Sequence, residues 1–195
     1  MSLRYLSGGE SHGPCLTGVI DGLPANLEID IGFINNQLSR RQQGYGRGGR
    51  MAIEKDEAVF LGGLRFSRTT GAPVVVQIMN KDYEAWKEQM QPLEPPPEGL
   101  FAVTAPRPGH ADLPGALKYN QEDLRNILER ASARETTMRV AAGSIARLLL
   151  KEFGVAITSL VISIGPVKAG KVAGTALELQ AKADSSPLRC ADRRA

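Results

Sequence analysis

The segment Gly9-Glu10-Ser11-His12-Gly13 sets a carboxylate, a hydroxyl and an imidazole in succession between two glycines. Histidine changes charge near neutral pH and serves as a proton donor or acceptor. Glycine permits sharp turns and close approach to a ligand. The chain has only two histidines. The second, His110, lies in a comparable glycine and proline setting, Pro106 to Asp112. Two scarce histidines in such loops point to acid–base chemistry, although exposed loop histidines with no role satisfy the same pattern.

The arginines suggest what those histidines face. No acidic residue occurs from Ile31 to Ile53, where Arg40, Arg41, Arg47 and Arg50 fall. None occurs from Ala58 to Lys81, which holds Arg65 and Arg68, or from Gly99 to Ala111, which holds Arg107 and His110. Three basic segments without counter-charges are expected to converge on an anion, or else to be solvated loops. Within Gly46 to Arg50 two guanidiniums stand three residues apart in a glycine loop, suited to phosphate or carboxylate. The string is not a nucleotide-binding P-loop. It also lacks the repeats and disordered context of RNA-binding arginine–glycine tracts. In Ala131 to Thr137, Ser132 can cap the following helix or meet a ligand, Arg134 and Glu135 can pair, and the helix start attracts phosphate.

These segments need a frame. Leu16 to Ile20, Ala58 to Leu61, Val74 to Met79, Phe101 to Thr104 and Val155 to Ile164 read as strands. Asp30 is expected to cap a helix that carries Ile34 and Leu38 and ends by Gly44. Further helices are expected at Asp82 to Met90, Gln121 to Arg130 and Thr175 to Ala183. The strongest runs from Thr136 to Phe153 and closes at Gly154. Strands and helices alternate irregularly, which gives an α/β or α+β class.

Composition narrows the function. A chain of 195 residues buries one core and is expected to form a single domain. Aromatic residues make up only 5%, which argues against base stacking and a nucleic-acid partner. No apolar run is long enough to span a bilayer, and no secretory stretch opens the chain, so no membrane association and a cytoplasmic location are expected. Two cysteines and two histidines at no ligand spacing imply a reduced protein without a metal site.

Four segments together resemble the chorismate synthases: Gly9 to Pro24, Arg40 to Met51, Arg107 to Tyr119 and Glu129 to Ile145. The resemblance covers Leu3 to about Arg189. It implies an α+β fold, a β-α-β sandwich with helices packed between antiparallel sheets. That sandwich is expected to be incomplete here, because this stretch corresponds to the N-terminal half of the family's length and lacks its third, arginine–aspartate signature. The implied activity is anti-1,4-elimination of phosphate from 5-enolpyruvylshikimate 3-phosphate to chorismate. It requires reduced FMN, with NADPH in members that reduce their own flavin, and takes place in a homotetramer. The alternative is an inactive fragment that binds only anions or partner subunits.

The resemblance also implies residue roles. His12 would protonate or hydrogen-bond the departing phosphate, and His110 would donate a proton toward the flavin N1 region. Arg41, Arg47 and Arg50 would clamp the substrate's anionic groups, with Arg41 and Arg47 also matching positions assigned to NADP contact. Ser11 would position substrate or relay a proton, and Glu10 would brace the loop. Ser132, Ala133 and Arg134 match a run that contacts FMN, and Arg107 is a further ligand. Arginines beside each histidine are expected to favour the uncharged imidazole until phosphate binds.

Overall fold

The computed structural model describes residues 2–46 and 54–194. Four antiparallel strands form the main sheet: β1 (Arg4–Gly8), β2 (Cys15–Asp21), β3 (Val59–Gly62) and β6 (Val74–Met79), in the order β1-β2-β6-β3. Two short strands, β4 (Leu64–Arg65) and β5 (Arg68–Thr69), pair in the β3–β6 connection. Helix α4 (Glu135–Lys151) packs on the sheet, and α1 (Ile31–Gln42) packs against α4. The expected α+β class with antiparallel sheets is what the chain adopts.

Residue spacing explains this layer. Leu16 and Ile20 of β2 are buried, as are Val74, Val76 and Ile78 of β6, so the period of two presents one apolar face. Ile34 and Leu38 on α1, with Met138, Ala141, Ile145 and Leu148 on α4, supply helical stripes that close over it. Asp30 caps α1 by accepting from the Phe33 N–H at 2.9 Å, as its position predicts. Gly18 on β2 lets Met138 approach: a Cβ there would sit 2.6 Å from the Met138 sulfur.

The register also gathers the loops. Gly8 pairs with Thr17, Cys15 with Met79 and Val59 with Gln77. The β1–β2 loop, Asn80 after β6 and the segment before β3 therefore share one end of the sheet.

Several expectations fail for identifiable reasons. Phe101 to Thr104 is not a strand: the Val103 N–H donates to Asp123 Oδ1 and its carbonyl accepts from Leu124, so its hydrogen bonds are spent on a neighbouring turn. Helix α2 (Asp112–Tyr119) is an element the sequence reading lacks. Pro114 falls in its first turn, where no N–H is needed, and Gly115 permits contact with Ile127. Gln121 to Arg130 condenses to α3 (Arg125–Leu128) flanked by turns. A 3-10 helix, Lys81–Ala85, replaces the helix expected up to Met90. Val155 to Ile164 yields only β7 (Ser163–Ile164), paired with β8 (Val167–Lys168) across the Gly165-Pro166 turn. Earlier donors in that stretch go to Gln180 Oε1 and the Arg189 carbonyl instead of a ladder. Helix α5 (Ala176–Asp184) forms as expected, with a capping box between Thr175 and Glu178. Strand β1 is an element the sequence reading lacks. No helix of the described residues is long and apolar enough to cross a membrane.

The Gly18–Met138 contact gives a direct test of packing. Gly18→Val should destabilise the protein by about 1–3 kcal/mol through overpacking. Adding Met138→Ala should recover part of that loss, so that urea midpoints of the pair depart from additivity.

Candidate functional site

The loop from Gly9 to Pro14 is pinned by its backbone. Gly9 has φ 100°, and a Cβ there would lie 2.3 Å from the Cys15 carbonyl, so only glycine makes this turn. The Asn80 side-chain amide donates to the Glu10 carbonyl at 3.0 Å and the Gly13 carbonyl at 2.7 Å. The Ser11 N–H donates to the Glu129 carbonyl at 3.0 Å, and Ser11 is buried. Glu10 braces the loop through its carbonyl, which also accepts from Gly13.

His12 leans on Glu129. Its backbone N–H donates to Glu129 Oε2 at 3.0 Å, and its Nδ1 lies 2.8 Å from the same oxygen. Nε2 is 3.7 Å from Asp82 Oδ2. The ring packs on Trp86 with centroids 4.2 Å apart and planes tilted by 32°, and the Arg125 guanidinium lies over the Trp86 ring, 5.2 Å from its centroid. Among the described residues the neighbours of His12 are thus carboxylates and Trp86, and Arg41 is engaged with Asp56 and Ala133 instead. Burial pushes the Glu129 carboxyl up, but the hydrogen bonds and charge of His12, with the charge of Arg125, outweigh it and hold Glu129 below its ordinary value.

The turn before α4 carries a buried ion cluster. Arg134 Nη1 donates to Asp56, Nε to Asn80 Oδ1 at 2.8 Å and Nη2 to the Met79 carbonyl at 3.3 Å, while Glu54 lies 3.6 Å away. Arg134, Asp56 and Glu54 are all buried. Arg41, at the end of α1, reaches the same acid at 3.4 Å. It also donates to Thr136 Oγ1 at 2.9 Å and the Ala133 carbonyl at 3.1 Å. The acids Glu54 and Asp56 lie between two of the acid-free windows. The fold turns them back onto Arg41 and Arg134, so the expectation of basic segments without counter-charges fails here.

The expected pair of Arg134 with Glu135 does not form either. Glu135 accepts from Arg130 and from Ser7 Oγ at 2.8 Å. Ser132 does not occupy the cap position of α4, which falls to Arg134; its Oγ accepts from the Arg134 N–H at 3.3 Å. Ala133 is exposed. Arg47 and Arg50 lie outside the described residues. An open cleft of about 490 Å³ beside Arg41 is bordered by Arg40, Arg147 and Arg189 but by neither histidine.

The second histidine repeats the arrangement of the first. His110 Nδ1 contacts Asp112, a fully buried carboxylate. Arg107 closes the group, donating to Asp112 from its backbone N–H at 3.0 Å and from Nε at 2.9 Å. Those Arg107 hydrogen bonds, opposed by burial and helped by His110, hold the Asp112 carboxyl well below the usual carboxylate range. The Arg107 side chain stays half-exposed. This group meets the first through packing of Gly115 against Ile127, two residues before Glu129.

Structure therefore brings Ser11, His12, Arg41, Ser132, Ala133 and Arg134 into one hydrogen-bonded framework, with Arg107 and His110 in the turn that leads into α2. Glu129, Asn80, Asp56 and Glu54 escaped the sequence reading. Asp112 carried a signal, a carboxylate two residues from a histidine; the other four are joined to their partners only by long-range folding.

Removing one member should expose this dependence. Asp56→Ala takes from the buried Arg134 guanidinium its nearest charge partner and should cost about 3–5 kcal/mol in chemical denaturation. The pH dependence follows from the lowered carboxylates. Their contribution is fully present above the unfolded value of about 4 and is lost as pH falls through the folded values. Acid denaturation should begin below that point, and Asp112→Asn should flatten the profile there.

The family model for chorismate synthase matches residues 3–195. A chorismate synthase of Thermoanaerobacter pseudethanolicus is 59% identical over 167 residues, covering 86% of this chain and 45% of that protein. One of Carboxydothermus hydrogenoformans is 55% identical over 192 residues, covering 97% and 49%. A crystal structure of chorismate synthase superposes with TM-score 0.75 at 39% identity, over 100% of this chain and 49% of that one. The chain spans about half the length of the curated relatives it matches. With its four motif segments inside this match, the chain belongs to the chorismate synthase family.

Proposed function

We propose that this chain acts as a chorismate synthase. The reaction is elimination of phosphate from 5-enolpyruvylshikimate 3-phosphate: a ring proton is lost, the C–O bond to phosphate breaks and a double bond forms. The observation that carries this reading is the joint framework of the His12 loop, Arg41 and the Ser132–Arg134 turn, which assembles three separated motifs beside one another. His12 stabilises the departing phosphate by donating a proton or a hydrogen bond. Arg41, Arg47 and Arg50 supply cationic contacts for the substrate's phosphate and carboxylates, and Ser11 steadies the loop that carries His12.

Reduced FMN is the cofactor of this reading, and when bound it supplies an electron-rich partner to a reaction with no net redox change. The residues fit it unequally. Arg107 and His110 present a half-exposed guanidinium and an imidazole, suited to the flavin's polar edge or phosphate. Ser132 and Ala133 offer a hydroxyl and exposed backbone. The Arg134 guanidinium is consumed by Asp56, Glu54 and Asn80 and does not fit as a direct ligand; its part is to shape the turn. NADPH contact through Arg41 and Arg47, a homotetramer and a cytoplasmic location complete the proposal.

Phosphate release from 5-enolpyruvylshikimate 3-phosphate in the presence of reduced FMN is the test. Release should be detectable and should fall by about 10²–10⁴-fold in His12→Ala. Binding of substrate and flavin without any release would overturn the reading in favour of a binding fragment.

A further inference from the structure

We propose that Glu129 is the positioning residue of His12, fixing its Nδ1–H tautomer so that Nε2 is the nitrogen turned to the ligand. The functional part of this inference rests on the reading above; the structural part does not.

The geometry leaves one arrangement. An ionised carboxylate has lone pairs and no proton, so it only accepts. Both Glu129 oxygens approach His12 Nδ1, at 2.8 and 3.0 Å, and that nitrogen must therefore carry the hydrogen. The same carboxylate accepts from the His12 backbone N–H at 3.0 Å, so ring and loop are held by one group. Arg125 Nη1 donates to Glu129 Oε1 at 3.1 Å and keeps the carboxylate charged and in place. Trp86 covers a face of the ring and opposes its rotation.

Nε2 is left differently. Its distance to Asp82, 3.7 Å, is too long for a direct hydrogen bond. The His12 side chain is 22% exposed and that of Glu129 only 1%. One imidazole nitrogen is thus locked onto a buried carboxylate, while the other makes no direct hydrogen bond to Asp82 and the side chain keeps partial exposure. In phosphate elimination the C–O electron pair leaves with the phosphate, and the Nε2 proton of the charged ring moves to a phosphate oxygen. The neutral ring that remains keeps its Nδ1–H on Glu129, so no rotation or tautomer exchange follows the transfer.

Nitrogen-15 NMR of the histidine rings in this chain, at a pH where imidazole is uncharged, reads the tautomer directly. There are only two histidines, and His110→Gln assigns the pair. His12 is expected as Nδ1–H, opposite to the preference of a free histidine side chain, and to revert to Nε2–H in Glu129→Leu. A wild-type ring in the Nε2–H form overturns the proposal, as does Nδ1–H retained in folded Glu129→Leu. Should that variant not fold, the near-isosteric Glu129→Gln decides by kinetics: kcat for phosphate release is expected to fall up to about 100-fold with KM nearly unchanged. An unchanged kcat overturns the proposal. The expected tautomer in a chain that releases no phosphate would count against the proposed function alone; phosphate release with the Nε2–H form would count against the positioning role alone.

Discussion

A guanidinium withdrawn from water needs charge and hydrogen bonds on every side, and the position of Arg134 makes that need organise the molecule. It lies at the entrance to α4 and is buried. Its partners come from three other places: Asp56 and Glu54 before β3, the Met79 carbonyl at the end of β6, and the Asn80 side chain beyond it. Breaking such a buried pair is costly because the surviving charge has no alternative solvation. The cluster therefore commits separated segments to one mutual arrangement, and Asn80 and Arg41 extend that commitment to the His12 loop and to the end of α1.

The hydrophobic layer and this cluster do different work. The sheet register and the α1–α4 packing bring the loops to one end of the sheet, to within the reach of side chains. Polar geometry then selects among the arrangements that such proximity permits. His12 and His110 show the result most plainly, since each ring rests through Nδ1 on a nearly inaccessible carboxylate and keeps partial exposure elsewhere. Imidazoles held this way are oriented before any ligand arrives, which lowers the ordering required on binding.

Local pattern made much of the frame legible. Asp30 and Ile34 announced α1, the β-branched run at Val74 announced β6, and the long stripe from Met138 to Leu148 announced α4. Failures came where a segment's hydrogen bonds went to distant groups, as at Val103 and Ser159. The candidate site was legible in its histidines and in Arg41 and Arg107, because those types are scarce or clustered. Glu129, Asn80 and Asp56 look like ordinary helix and loop residues in sequence; only the register of the sheet and the turn before α4 bring them to their partners. Absence of nearby acids in sequence proved a poor guide to charge in space, since Asp56 and Glu54 fold back onto Arg41 and Arg134.

The central claim is that the Arg134 cluster holds the His12 loop in place. Native-state amide hydrogen exchange in the double variant Arg134→Met, Asp56→Leu tests it, because removing both charges avoids leaving either one stranded. The amides of Ser11 and Gly13 should exchange about tenfold faster or more, ahead of the β2 and β6 amides. Unchanged protection at Ser11 and Gly13 in the folded variant would contradict the account.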